Sequence, residues 1–199
     1  MDLNKHYIYK VKDEYFDDFP DPFLKANKGQ ARPNYYVFEG DNKEVSWLIP
    51  LSSKVEKFER IMQQKEAQGK PCDVCHVCKV GNRKAAFLIQ DMFPVTKEYI
   101  AEEYTLNRTP LVLYDKSDIK AIENKATRMQ KLINRGIKVM RTQPDVKSIE
   151  EKLIQKLEDN APKQEIKEPQ EQNNQDQEKE KRDRERRAAM RRHMAMRER

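Results

Sequence analysis

Apolar and polar positions alternate through the first part of the chain, and the alternation predicts β-strands. His6–Lys12 (HYIYKVK) places Tyr7, Tyr9 and Val11 on one face. Tyr35–Phe38 and Val45–Ile49 are aromatic and β-branched runs. The turn-like Glu39-Gly40-Asp41-Asn42-Lys43 lies between them, so the two runs predict a hairpin. Val74–Val80 alternates again, Gly81-Asn82 is a turn signal, and Ala85–Ile89 reads as a buried strand. That is a second hairpin.

The period then changes to that of a helix. Val55, Phe58, Ile61 and Met62 make an apolar stripe. It follows Ser53-Lys54-Val55-Glu56, which has the S-x-x-E form of a capping box, and it predicts a helix ending near Gly69. Ile119, Ile122, Ala126, Met129 and Ile133 predict a stronger helix, with Asp118 as its cap and Gly136 as its stop. A weaker helix is expected over 145–158, with Ile149, Leu153 and Leu157 on one face. From Asn160 the composition turns to Gln, Glu, Lys, Asn and Pro, which cannot build a core. Met190, Met194 and Met196 give the basic end only a thin apolar stripe, so a flexible arm is expected there. The reading divides the chain into an α/β body over 1–141 and a charged tail over 142–199, partly helical and largely disordered.

Composition sharpens this division. Charged residues make up 37% of the 199, and mean hydropathy is −1.05, too polar for a chain that is all packed core. The net charge of +6 is unevenly spread: +5 over 1–142, −5 over 143–178 and +6 over 179–199. A basic body and a basic end point to a polyanionic partner, although a solvated charged surface accounts for the same numbers. No apolar run approaches the roughly 18 residues of a membrane span. The first residues, MDLNKHYIYKVKDEYF, contain no apolar signal segment. Three closely spaced cysteines do not make a disulfide framework, so a reducing cytoplasm is expected.

Several kinds of chemistry can be set aside. Cys72-Asp73-Val74-Cys75-His76 has the C-x-x-C-H form of haem attachment, but that needs an exported, oxidising setting. Cys72, Cys75, Cys78 and His76 would make four zinc ligands. Strand alternation sends Cys75 and Cys78 to opposite faces, however, so plain strand cysteines are expected. The histidines His6, His76 and His193 suggest no acid–base pair. No Walker loop, G-x-S-x-G elbow or carboxylate cluster is present, and no metal or cofactor is expected.

A Ser/Lys/Arg constellation remains. Ser52, Ser53, Lys54 and Lys57 sit where a strand hands over to a helix, and a helix N-terminus with adjacent cations suits a phosphate. Arg32 lies on the loop Lys28–Pro33 before the adjacent strand. If that strand pairs with 45–49, Arg32 and Ser53 share one end of the sheet. RNA is cleaved when its own 2′-hydroxyl attacks the neighbouring phosphate. Lys and Arg would stabilise the developing charge, Ser would supply a hydrogen bond, and a Lys of lowered pKa would be a base. The competing reading makes Ser53 an ordinary cap and the lysines an exposed first turn.

At these residues the sequence resembles the ToxN/AbiQ group of endoribonuclease toxins of type III toxin–antitoxin systems. The resemblance runs from about residue 6 to 135. Tyr7-Ile8-Tyr9-Lys10-Val11 with Asp13-Glu14-Tyr15-Phe16 resembles that group's opening strand and turn. Arg32-Pro33-Asn34-Tyr35-Tyr36-Val37 is similar to the lead-in to its second strand. Ile49-Pro50-Leu51-Ser52-Ser53 with the following lysines is similar to its P-L-[ST]-S-P-K signature. Asp91-Met92-Phe93-Pro94-Val95 resembles its N-M-I-P-V segment, and Met129-Gln130-Lys131-Leu132-Ile133 its late helix.

The resemblance implies an α+β fold, a strongly bent antiparallel sheet of the MazF/Kid, SH3-like type with helices around it. It implies metal-independent cleavage of single-stranded RNA, cellular or phage, leaving a 2′,3′-cyclic phosphate. It also implies inhibition by a repeat antitoxin RNA folded as a pseudoknot, in a cyclic toxin–RNA assembly. Ser52 and Ser53 match the active Thr/Ser-Ser pair and Lys54 the lysine. The intervening proline is absent here, so Lys57 is a second candidate for the lysine. The catalytic set is then Ser52, Ser53, Lys54 and Arg32, with Lys28, Lys57, Tyr35, Arg83 and Lys84 as RNA contacts. Two readings of other classes stand beside it: a non-catalytic RNA- or DNA-binding accessory protein with a basic tail, and a zinc-stabilised adaptor.

Overall fold

In a computed structural model of the chain, the structure describes residues 3–24, 27, 29, 31–160 and 182. The chain divides into two compact units, 1–160 and 161–199. The second unit, with the expected basic arm, lies outside the described residues apart from Arg182.

The first unit is α+β. Its elements are β1 (Ile8–Val11), α1 (Glu14–Asp18), β2 (Asn34–Glu39), β3 (Val45–Ser52), α2 (Val55–Ala67), β4 (His76–Val80) and β5 (Arg83–Phe87). They continue with β6 (Phe93–Thr96), β7 (Ile100–Glu103), β8 (Thr105–Leu106), β9 (Thr109–Pro110), α3 (Lys116–Asn134) and α4 (Val146–Asn160). Seven strands form one antiparallel sheet in the order β4-β5-β3-β2-β1-β7, with β6 also on β3. Both expected hairpins are present. Gly81 opens the two-residue β4–β5 turn at φ 57°, the left-handed region that glycine enters without a steric penalty.

β3 is the spine of the sheet. One edge pairs with β2 from Ser46 to Pro50. The other edge changes partner along its length: Val45–Leu48 pair with β6, and Leu51 and Ser52 pair with β5. β6 and β7 are joined by a 3-10 turn at Lys97–Tyr99, and β7 pairs with β1. The circuit β1-β2-β3-β6/β7 therefore returns to β1, as in a small bent barrel. A bulge between Tyr36 and Phe38 adds to the bending. Alternation locates β1 but misjudges its sidedness: Ile8, Tyr9 and Val11 are all buried, because the sheet is covered on both faces.

The helices bury the stripes that their spacing marks. α3 buries Ile122, Ala126, Met129 and Ile133 against the sheet, about 1.5–3 kcal/mol for each large side chain. Its cap is Asp115 rather than Asp118: Asp115 Oδ1 accepts from the amides of Ser117 and Asp118, both at 2.9 Å. α2 starts at Val55 with Lys54 at the cap position and no side-chain cap bond, so the Ser53–Glu56 capping box does not form. Only Phe58 of its stripe is fully buried. α4 is a packed element of the body. Val146, Ile149 and Leu153 join the main core, which carries the first unit to Asn160 rather than to residue 141. No described helix is long and apolar enough to cross a membrane.

Candidate active-site cleft

The site is built where the loop before β2 meets the end of β3. Pro50 has no amide hydrogen, so the next residue makes the link: Leu51 N–H donates to Pro33 O at 2.9 Å. Asn34, 1% exposed, holds the loop from within, its Nδ2 donating to Arg32 O at 2.9 Å. Asn27 fastens the start of the loop to β1 through Nδ2–H to Val11 O at 2.6 Å, and its carbonyl accepts from Arg32 N–H at 3.3 Å. Arg32 is thus held at the end of β3 by two main-chain bonds and two bonds donated by asparagine side chains.

The result is a cleft of about 300 Å³. Arg32, Ser52, Ser53, Lys54, Arg83 and Lys84 supply its polar lining, and Leu51, Val80, Leu106 and Leu111 much of its apolar wall. Tyr104 completes the rim. Among the described residues four cations and no carboxylate line it, so an anion is the complementary occupant. Burial lowers the Arg32 guanidinium from its ordinary value, and the charge of nearby Asp91 partly restores it. Ser52 Oγ accepts from Lys54 N–H at 3.2 Å, which fixes the corner between β3 and α2. The exposed Ser53 lines the cleft just before a helix that has no side-chain cap. Lys84 also pairs with Glu59 at 2.9 Å.

All four sequence-derived catalytic candidates, with Arg83 and Lys84, therefore line one cleft. Two of the proposed contacts do not join them. Tyr35 is fully buried, packed edge-on to Phe87 and hydrogen bonded through its hydroxyl to His6 Nδ1 at 2.9 Å, so it belongs to the core. Lys57 is exposed on α2, its Nζ 5.6 Å from the Phe58 ring centre, and is outside the cleft lining. Lys28 lies outside the described residues. Tyr104 was not anticipated. It follows β7 and reaches the cleft because its N–H donates to Ile8 O at 2.7 Å.

The cysteines divide as alternation requires. Cys75 packs with Phe58, Ala86 and Leu88 under α2, with Cys72 Sγ at 3.8 Å, whereas Cys78 lies in the main core. The four-ligand set of Cys72, Cys75, Cys78 and His76 is not assembled.

The sequence matches no protein-family model and no curated protein. A solved structure does match: AbiQ, described as a lactococcal anti-phage endoribonuclease belonging to the type III toxin–antitoxin system. The two share a fold with a TM-score of 0.60 over 78% of this chain and 99% of AbiQ, at 16% sequence identity. At that identity the likeness is one of fold.

Proposed function

We propose that the protein is an endoribonuclease toxin of a type III toxin–antitoxin system that cuts single-stranded RNA in the Arg32–Lys54 cleft without a metal ion. The observation that carries this reading is the convergence of Arg32, Ser52, Ser53 and Lys54 on one cation-lined cleft, in a chain with the fold of AbiQ. Among the described residues the lining contains no carboxylate, imidazole or thiol, the usual donors for a catalytic metal.

The chemistry follows from the side chains. The scissile phosphate sits at the N-terminus of α2, where first-turn amides and Lys54 face it. The RNA 2′-hydroxyl gives its proton to water and attacks phosphorus, the bond to the 5′-oxygen breaks as that oxygen takes a proton from solvent, and a 2′,3′-cyclic phosphate is left. Arg32 and Lys54 neutralise the charge that builds on the phosphorane, and Ser53 donates a hydrogen bond to it. Arg83 and Lys84 hold flanking phosphates. Tyr104 and the apolar wall offer a surface for a base to stack on. An antitoxin RNA of repeated pseudoknots occupies the same cleft and blocks it.

The test is incubation of RNA with pure protein in magnesium-free buffer containing EDTA, at a temperature where circular dichroism shows the fold intact. Defined cuts ending in 2′,3′-cyclic phosphate are expected. RNA that is bound yet left whole after long incubation at high protein concentration would show a binding protein instead.

A further inference from the structure

The face of β4 that looks toward α3 carries His76 and Cys78, two residues apart and therefore on the same side of the strand. α3 brings Asp118 to them. His76 Nε2 and Asp118 Oδ1 are 2.9 Å apart, and one donor atom from each of His76, Cys78 and Asp118 lies within 4.8 Å of the others. The helix cap sets this placement, since Asp115 Oδ1 takes the amide of Asp118 and fixes the first turn of α3.

The plainest account of these residues is a hydrogen-bonded latch between His76 and Asp118. Cys78, 7% exposed, belongs to the core, and its sulfur lies on the side of β4 that faces the pair, within 4.8 Å of a donor atom of each. A divalent cation gains from all of them at once.

The donor mix selects the ion. Imidazole nitrogen, thiolate sulfur and carboxylate oxygen together suit zinc, a borderline-soft ion that accepts all three. Bonds of about 2.0–2.3 Å in a tetrahedron place ligand atoms roughly 3.3–3.8 Å apart. Closing from the present spread needs side-chain movement of about 1 Å, with the His76–Asp118 hydrogen bond giving way to two metal bonds.

We propose that His76, Cys78 and Asp118 bind one zinc ion that clamps β4 to α3, with water as the fourth ligand. The site differs from the Cys72–Cys75–Cys78–His76 set in using a carboxylate from a distant helix and only one thiol. Its role is structural. Val80, two residues past Cys78 on the same strand, lines the cleft, so the ion steadies a wall of the cleft and takes no part in cleavage. The proposal stands whether or not the protein cuts RNA.

Cobalt substitution of the full chain, stripped of metal, tests it directly. One equivalent of Co²⁺ should give a thiolate-to-cobalt charge-transfer band and the visible bands of a tetrahedral ion. Zinc should bleach both at one equivalent and raise the Tm of the protein by several degrees. Asp118→Asn keeps the helix and removes one ligand. It should weaken zinc by more than the ~10- to 100-fold typical of losing an outer-shell partner. Cys78→Ala should abolish the charge-transfer band, and Cys75→Ala should leave it intact. A band that survives Cys78→Ala and vanishes with Cys75→Ala would place the metal on the Cys72–Cys75 pair and overturn the assignment. Absence of any charge-transfer band in the folded wild type would overturn it as well.

Discussion

The amide of Leu51 donates to the carbonyl of Pro33 at 2.9 Å, and through that bond the loop carrying Arg32 is held against the end of β3 carrying Ser52. The residues are 18 apart in sequence, yet β2 and β3 pair Asn34 with Pro50, so the strand ends arrive together. The catalytic candidates are neighbours because a hairpin register makes them so.

Arg32 is the side chain with a role on both sides of this junction, lining the cleft while its charge interacts with buried Asp91. Arg32→Ala should therefore lose cleavage by about 10²-fold or more and also destabilise the fold by about 1–3 kcal/mol, since Asp91 remains buried. Pairing it with Asp91→Asn should recover much of the stability and none of the cleavage. Urea unfolding alongside single-turnover cleavage separates the two effects.

Ser52, Ser53, Lys54 and Lys57 are separable in the same way. Ser52→Ala should cost about 1 kcal/mol, because its hydroxyl accepts from the Lys54 amide. Ser53→Ala should leave stability within about 0.5 kcal/mol and remove most of the activity. Lys54→Ala should slow single-turnover cleavage by about 10²-fold, whereas Lys57→Ala, outside the cleft, should change it less than about threefold.

The sequence displayed the strands, hairpins and long helices because alternation and 3-4 spacing are local properties. The caps were less legible. Asp115 and Asp118 are equally good cap residues by type, and the choice is settled by where the chain leaves its extended path. Asp118 goes to His76, 42 residues away, a partner no local pattern reveals. Ser53 failed as a cap because the helix begins one residue later, with Lys54 at the cap position. Tyr35 and Tyr104 show the same limit. Tyr35 has the residue type of an RNA contact, but both faces of its strand are covered. Tyr104 reaches the cleft only through its bond to β1. β6 was hidden by Pro94, which suppresses a strand reading and is tolerated here at a position opposite Trp47.

Binding should be strongly salt dependent. Each phosphate contacted on a single strand contributes about −0.7 to the slope of log affinity against log salt. Arg83→Ala should lower the steepness by about that amount. Lys84→Ala should lower it by less, because Lys84 is already paired with Glu59 at 2.9 Å. Fluorescence anisotropy of a cleavage-resistant 2′-deoxy oligonucleotide over a salt series measures both slopes.

The docking of α4 should depend on pH through Glu150. This residue lies on the helix that packs against β3 and β6, and its carboxyl faces Gly40 beside the Trp47 indole; a Cβ at Gly40 would sit 3.3 Å from Glu150 Oε1 and 3.4 Å from Trp47 Nε1. Burial is the main cause that raises its pKa, with Asp41 and Glu151 adding to it. A carboxyl whose folded pKa exceeds its unfolded value binds the proton better in the native state. Its stabilising contribution is complete below the unfolded pKa and declines as pH rises through the folded one. At neutral pH Glu150 is therefore a charge that the fold holds at a cost. Glu150→Gln keeps the shape and removes the charge. Its Tm should exceed that of the wild type at pH 7, and the difference should vanish near pH 4. An equal gain at both pH values would mean that packing, rather than charge, separates the two side chains.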